Sequence, residues 1–153
     1  MKKKMEVVRG LKHGTTDTIY DLFFTESKFV AAIVLHPSDL ANMYPKSDLL
    51  SIFVGGVLQQ REIKVRQLKL MDERRLAFKD KTADEILTMH RANFEVDYQN
   101  VIAVRIRKGL VTISLEFVVQ GHPETKMSFW VERNQIAEVE EVVRRYLPNK
   151  LRS

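Results

Sequence analysis

The sequence predicts an α+β fold: antiparallel strands in two groups, helices between the groups, and a C-terminal amphipathic helix packed on the second. Three observations point there. Residues 101–107 and 110–119 alternate with period two on either side of Lys108-Gly109, as two half-buried strands joined by a hairpin would. Residues 18–24 and 29–35 make a second pair of strand-like runs around the polar loop Thr25-Glu26-Ser27-Lys28. From Ile136 the period becomes helical: Ile136, Val139, Val142, Val143, Tyr146 and Leu147 share one face, Glu140/Arg144 and Glu141/Arg145 pair outward, and Pro148-Asn149 ends the run.

Taken in order, residues 6–11 read as a first strand and residues 12–17 as the turn after it. The hairpin that follows is apolar on both faces, with Tyr20, Leu22, Phe24, Ala31 and Ile33 on one and Ile19, Phe23, Val30 and Val34 on the other. Its second face needs a cover, from helices later in the chain or from a second subunit. A short helix opens at His36-Pro37-Ser38-Asp39 and stops before Pro45. Ser47-Asp48 caps a helix that Gly55-Gly56 is expected to interrupt or kink. Farther on, Val57, Leu58, Val65, Leu68, Met71 and Leu76 gather on one side, with Ile63 and Leu70 off the stripe. Thr82-Ala83-Asp84-Glu85 has the form of a capping box, in which threonine and glutamate each satisfy a backbone amide of the first turn.

For the C-terminal meander the alternation predicts a register. A turn at Lys108-Gly109 sets Ile106 opposite Val111, Val104 opposite Ile113, Ile102 opposite Leu115 and Arg105 opposite Thr112. A return at residues 121–125 sets Phe117 opposite Phe129 and Val119 opposite Met127.

With 153 residues and 44% hydrophobic content, one domain is expected over residues 1–153. The chain has no cysteine, which removes disulfides, thiolate metal sites and cysteine nucleophiles and suits a reducing, cytoplasmic setting. No run reaches the roughly 20 apolar residues a membrane-spanning helix needs, and the charged start does not lead into a signal-peptide core. The net charge of +5 is spread evenly along the chain, which argues against a dedicated nucleic-acid-binding element.

The strand order of residues 5–35, the Thr25 to Lys28 turn, the segment Asp97-Tyr98-Gln99-Asn100-Val101-Ile102 leading into a strand, the lysine-glycine hairpin and the closing helix together resemble a pleckstrin-homology-like module of the GRAM and bacterial type. The resemblance covers about 35 residues at the front and 55 at the back, and makes residues 38–92 a helical insertion. It implies a partly closed barrel and a binding role. Trp130 lies on a strand, where eukaryotic members carry tryptophan in the closing helix. The first turn has only Lys12 and His13 where lipid-binding members have a run of basic residues, so no inositol-phosphate site is implied.

The chemistry-bearing residues point the same way. His13, His36, His90 and His122 are far apart and lack ligand spacing, so no metal or other cofactor is expected. Neither a nucleophile elbow nor a phosphate loop is present, and no catalytic residue is assigned. Two surfaces are candidates for binding. A basic one comprises Arg105, Arg107 and Lys108 with Arg9 and Lys12, and with Lys2, Lys3 and Lys4 as further members; it suits an anionic partner such as a phosphate headgroup. An apolar one, Leu49, Ile52, Phe53 and Val54, suits docking on the first hairpin or homodimerisation. The function expected is non-enzymatic engagement of a protein partner or an anionic membrane surface. Nucleic-acid binding and an enzyme without a recognisable motif are the alternatives.

Overall fold

The structure of the chain, a computed structural model, describes residues 5–14, 16–43, 49–121 and 125–152, and for residues 49–59 it describes the backbone alone. Strands β1 (Glu6–His13), β2 (Ile19–Phe24) and β3 (Lys28–Leu35) form a meander. Helices α1 (Pro37–Met43), α2 (Leu49–Phe78) and α3 (Ala83–Thr88) follow. The chain returns to the sheet as β4 (Phe94–Asp97), β5 (Val101–Lys108), β6 (Ile113–Val119) and β7 (Thr125–Val131). It ends with α4 (Ile136–Tyr146) and the two-residue β8 (Leu151–Arg152). All eight strands belong to one sheet in the order β4-β3-β2-β1-β7-β6-β5-β8, so the two ends of the polypeptide meet at β1 and β7. The fold is α+β, and the sheet is not closed into a barrel.

The sheet nevertheless curls. Strands β4 and β5 lie near opposite ends of the order, yet only the 3-10 turn Tyr98–Asn100 separates them. Four Cα steps reach about 15 Å at most, so the two ends must approach each other. Across the interior, the Phe29 ring on β3 lies 4.7 Å from that of Phe117 on β6. The two halves share one core with Leu22, Phe24, Leu115 and Phe129, and α4 closes it with Val139, Val142, Val143 and Leu147. Two sequence features noted separately meet at the corner: the Tyr98 amide donates to Ser27 O (3.0 Å) and its hydroxyl to Thr25 O (2.7 Å).

The first hairpin pairs as expected, with Phe24 opposite Phe29 and the Thr25 amide closing the loop on Lys28 O (2.9 Å). Its second face is covered within the chain. Phe23, Val30, Ala32 and Val34 pack against Phe78, Ala83 and Ile86, with Met71 and Leu87 beside them. The side chains of Leu49, Ile52, Phe53 and Val54, expected to supply this cover, lie outside the described residues.

The α2 stripe read from the sequence is corrected. Val65, Leu68 and Leu76 are exposed, whereas Ile63 is buried. The contact with the sheet instead follows Met71, Arg74, Arg75 and Phe78, a clean i, i+3, i+4, i+7 row. Two of its members are arginines that hydrophobicity alone would place outside. Arg75 donates two hydrogen bonds to Asp21, a β2 carboxylate only 1% exposed that also accepts the Gly10 amide (2.9 Å). Arg74 forms the matching pair with Asp39 at the start of α1 (2.7 and 3.0 Å). At α3 the capping box is present in both directions, between Thr82 and Glu85. Asn93 is buried and extends the β3–β4 pairing, accepting the Ile33 amide (2.8 Å) and donating to Ile86 O (2.9 Å).

The register of the C-terminal meander is also corrected. Ile106 faces Leu115, Val104 faces Phe117 and Arg105 faces Glu116, four residues along from the expected partners. A two-residue turn at Lys108-Gly109 would demand positive φ from a lysine, and the chain makes a four-residue turn instead, closed by Gly109 N donating to Thr112 O (2.8 Å). Phe129 faces Leu115 and Met127 faces Phe117, a displacement of two. Both displacements are even, so the buried face is preserved. The exception is Ile102, which a bulge between Val101 and Ala103 turns outward.

A candidate anion-binding edge

The basic residues singled out in the sequence fall into two places. Arg105, Arg107 and Lys108 line the end of β5, and Lys12 joins across the sheet: Lys12 pairs with Trp130, Trp130 with Ser114 and Ser114 with Arg107, so Lys12, Arg107 and Arg105 stand on one face and Lys108 on the other. Lys12 Nζ lies 5.6 Å from the centre of the Trp130 ring and forms an ion pair with Asp17 (3.0 Å). Arg9 sits apart, in a groove of about 580 Å³ between the sheet and α2, with Asp21, Asp72, Arg75 and Lys79. Lys2, Lys3 and Lys4 lie outside the described residues.

Strand β8 completes the first group. After α4 the turn at Pro148-Asn149 returns the chain to the sheet edge, where the Val104 amide donates to Lys150 O (2.9 Å) and β8 lies parallel to β5. The register sets Arg152 directly beside Arg105. Like charges in adjacent register positions repel, and an anion bound between them relieves that repulsion. One groove along this edge, of about 690 Å³, is lined by Ile106, Lys108, Glu140, Arg144, Pro148, Leu151 and Arg152. A neighbouring one, of about 620 Å³, is lined by Ile102, Ala103, Arg105, Ile106, Arg107 and Arg152.

Arg144 and Arg152 were not among the candidates read from the sequence. Spacing alone pairs Arg144 with Glu140, but Glu140 instead reaches Lys108 across the groove (3.5 Å), while Arg145 takes Glu141 (2.7 Å) and Glu6. Arg107 lies 3.4 Å from Glu116, whose buried Oε1 has no hydrogen bond. Among the described residues Arg105, Arg144 and Arg152 have no carboxylate partner, which leaves the edge with uncompensated positive charge. Among the described residues Arg152 donates to the backbone carbonyls of Asn149 and Leu151.

Three of the four histidines make contacts within the fold, and His122 lies outside the described residues. His13 packs edge-on against Tyr20, Phe94 and Phe129, and burial holds its imidazole below the usual range. His36 and His90 lie 6.1 Å apart, each accepting a backbone amide at Nδ1, from Ser38 and Ala92. Among the described residues no group of three or more histidine, aspartate or glutamate side chains converges as a metal site, and no helix is long and apolar enough to cross a membrane. No family model matches the chain, and neither the curated proteins nor the solved structures compared with it give a match.

Proposed function

We propose that the chain is a pleckstrin-homology-like module that binds an anionic partner, without catalysis, through the basic edge formed by β5, β8 and the C-terminal part of α4. The curled order of two meanders closed by one C-terminal helix supports the fold assignment. The observation that carries the function is the placement of Arg105, Arg144 and Arg152 around two adjoining grooves without carboxylate partners among the described residues. A cysteine-free sequence fits a cytoplasmic site of action. Titration with dextran sulfate tests the reading. Each cation contributes about 1 kcal/mol at an anionic surface, so Arg105→Gln/Arg144→Gln/Arg152→Gln weakens binding by about 100-fold, and salt weakens wild-type binding too. An unchanged affinity in the triple variant overturns it.

A second reading has one observation of its own. Trp130, 47% exposed on the sheet face between Lys12 and Arg107, is placed as a stacking platform for a single-stranded nucleic acid. It is the only tryptophan, so its emission reports directly on an oligonucleotide titration. Strong quenching by single-stranded DNA, together with weaker binding of a dye-labelled oligonucleotide by Trp130→Leu than by wild type, would favour this reading over the first.

A further inference from the structure

The turn between β5 and β6 carries the most exposed large apolar side chains among the described residues. Leu110 is 97% and Val111 90% exposed, and they are adjacent at the tip of a hairpin. Isolated exposed apolar residues are ordinary, but a neighbouring pair at an otherwise polar, projecting tip is not. The tip is held in place. Gly109 N donates to Thr112 O, a β-carbon on Gly109 would meet that oxygen at 2.8 Å, and Arg133 donates to Leu110 O (3.3 Å). Cations surround it. Lys108 lies about 7 Å back along β5, Arg133 touches the turn, and Arg105 and Arg152 stand about 10 Å behind Lys108. Asp17, Glu116 and Glu140 each offset one neighbouring cation, Lys12, Arg107 and Lys108. Arg105, Arg133, Arg144 and Arg152 keep no carboxylate partner among the described residues. Trp130 stands one strand pair away, opposite Ser114, about 10 Å from the tip.

An apolar point ringed by cations, with an amphipathic ring set behind it, matches the layered chemistry of an anionic bilayer surface: acyl chains first, then the headgroup level, where both the anionic charges and interfacial tryptophan reside. We infer that this module docks on an anionic membrane by inserting Leu110 and Val111, with the basic edge lying in the headgroup layer. The inference rests on the anion-binding reading and names its partner. Because both side chains are almost wholly exposed, replacing them leaves the fold intact, which an unchanged urea midpoint verifies.

The test is vesicle co-sedimentation together with Trp130 emission, using phosphatidylcholine vesicles with and without phosphatidylserine. Wild type is expected to bind the phosphatidylserine vesicles with a blue shift of Trp130. Leu110→Ser/Val111→Ser is expected to lower partitioning by at least about ten-fold, because two apolar side chains no longer leave water. If the double variant partitions like wild type, or if wild type ignores vesicles but binds dextran sulfate, membrane insertion is overturned while the anion-binding reading stands. If neither vesicles nor dextran sulfate is bound, both fail. Equal binding to neutral vesicles overturns the anionic part. A wild-type dimer without lipid that Leu110→Ser/Val111→Ser converts to monomer assigns the tip to a second copy of the chain and overturns the inference.

Discussion

Replacing Arg75 by methionine isolates the contact that fastens the inserted helices to the sheet. Asp21 is 1% exposed and its carboxylate has three donors, the Gly10 amide at 2.9 Å and two Arg75 nitrogens at 2.8 and 2.9 Å. Removing the guanidinium strands a buried carboxylate with a single amide, a change that costs about 3–5 kcal/mol, whereas methionine retains most of the aliphatic packing. For a domain of this size the same loss lowers the thermal midpoint by roughly 6–20 °C. Urea unfolding followed by circular dichroism gives the number, and Asp21→Asn together with Arg75→Met closes a double-mutant cycle. The double variant carries no stranded charge, so it is expected to recover at least about 1 kcal/mol relative to the sum of the single changes. Additive effects, or a loss below about 1 kcal/mol for Arg75→Met, would refute the claim that this pair anchors α2 to β1 and β2.

Other outcomes follow from the same packing. Asn93→Ala leaves the Ile33 amide and the Ile86 carbonyl without partners in a buried site and is expected to cost about 2–4 kcal/mol in urea unfolding. Thr82→Ala removes half of the capping box and should cost about 1 kcal/mol, with faster amide exchange confined to α3. Gly109→Ala places a β-carbon 2.8 Å from a backbone oxygen and is expected to shift the hairpin tip at a cost of about 1–3 kcal/mol, visible in the amide resonances of residues 108–113. His90 sets a pH dependence: burial, then Arg74, His36 and Arg91, hold its imidazole below the ordinary 6.5, with Asp39 opposing. The unfolded chain therefore takes up a proton that the folded one refuses, so stability is complete above about pH 6.5 and falls as the pH drops below it. His90→Gln should lessen that fall in urea midpoints measured from pH 7.5 down to about pH 5, with the remainder set by His13, which burial also holds low.

What could be read from the sequence was local, and what could not was set by distant partners. The capping box at Thr82 and the loop at Thr25 depend on neighbours three residues apart, and both stand where expected. The alternation in β5 and β6 identified the buried face, but the register depends on turn geometry at Gly109, which periodicity does not contain. The face that α2 presents to the sheet was hidden because two of its four contact positions are arginines, inward only by virtue of Asp21 and Asp39. At the basic edge, Arg105, Arg107 and Lys108 were legible as a cluster within one strand. Arg144 was not, because Glu140 has a cation four residues away in sequence and another across the groove, and the second holds it. Arg152 joins through a two-residue parallel strand, too short to leave a pattern. Lys12 shares the face of Arg107 through two intervening strands, whereas Arg9, only three residues earlier, belongs to a separate groove beyond a bulge in β1.

The site assignment is tested most directly by mapping backbone amide resonances during titration with inorganic polyphosphate. The largest perturbations are expected at residues 104–108, 144 and 151–152, in a pattern that fades in Arg105→Gln/Arg144→Gln/Arg152→Gln. Perturbations centred on Arg9, Arg75 and Lys79, or none at any position, would contradict the assignment of binding to the β5–β8 edge.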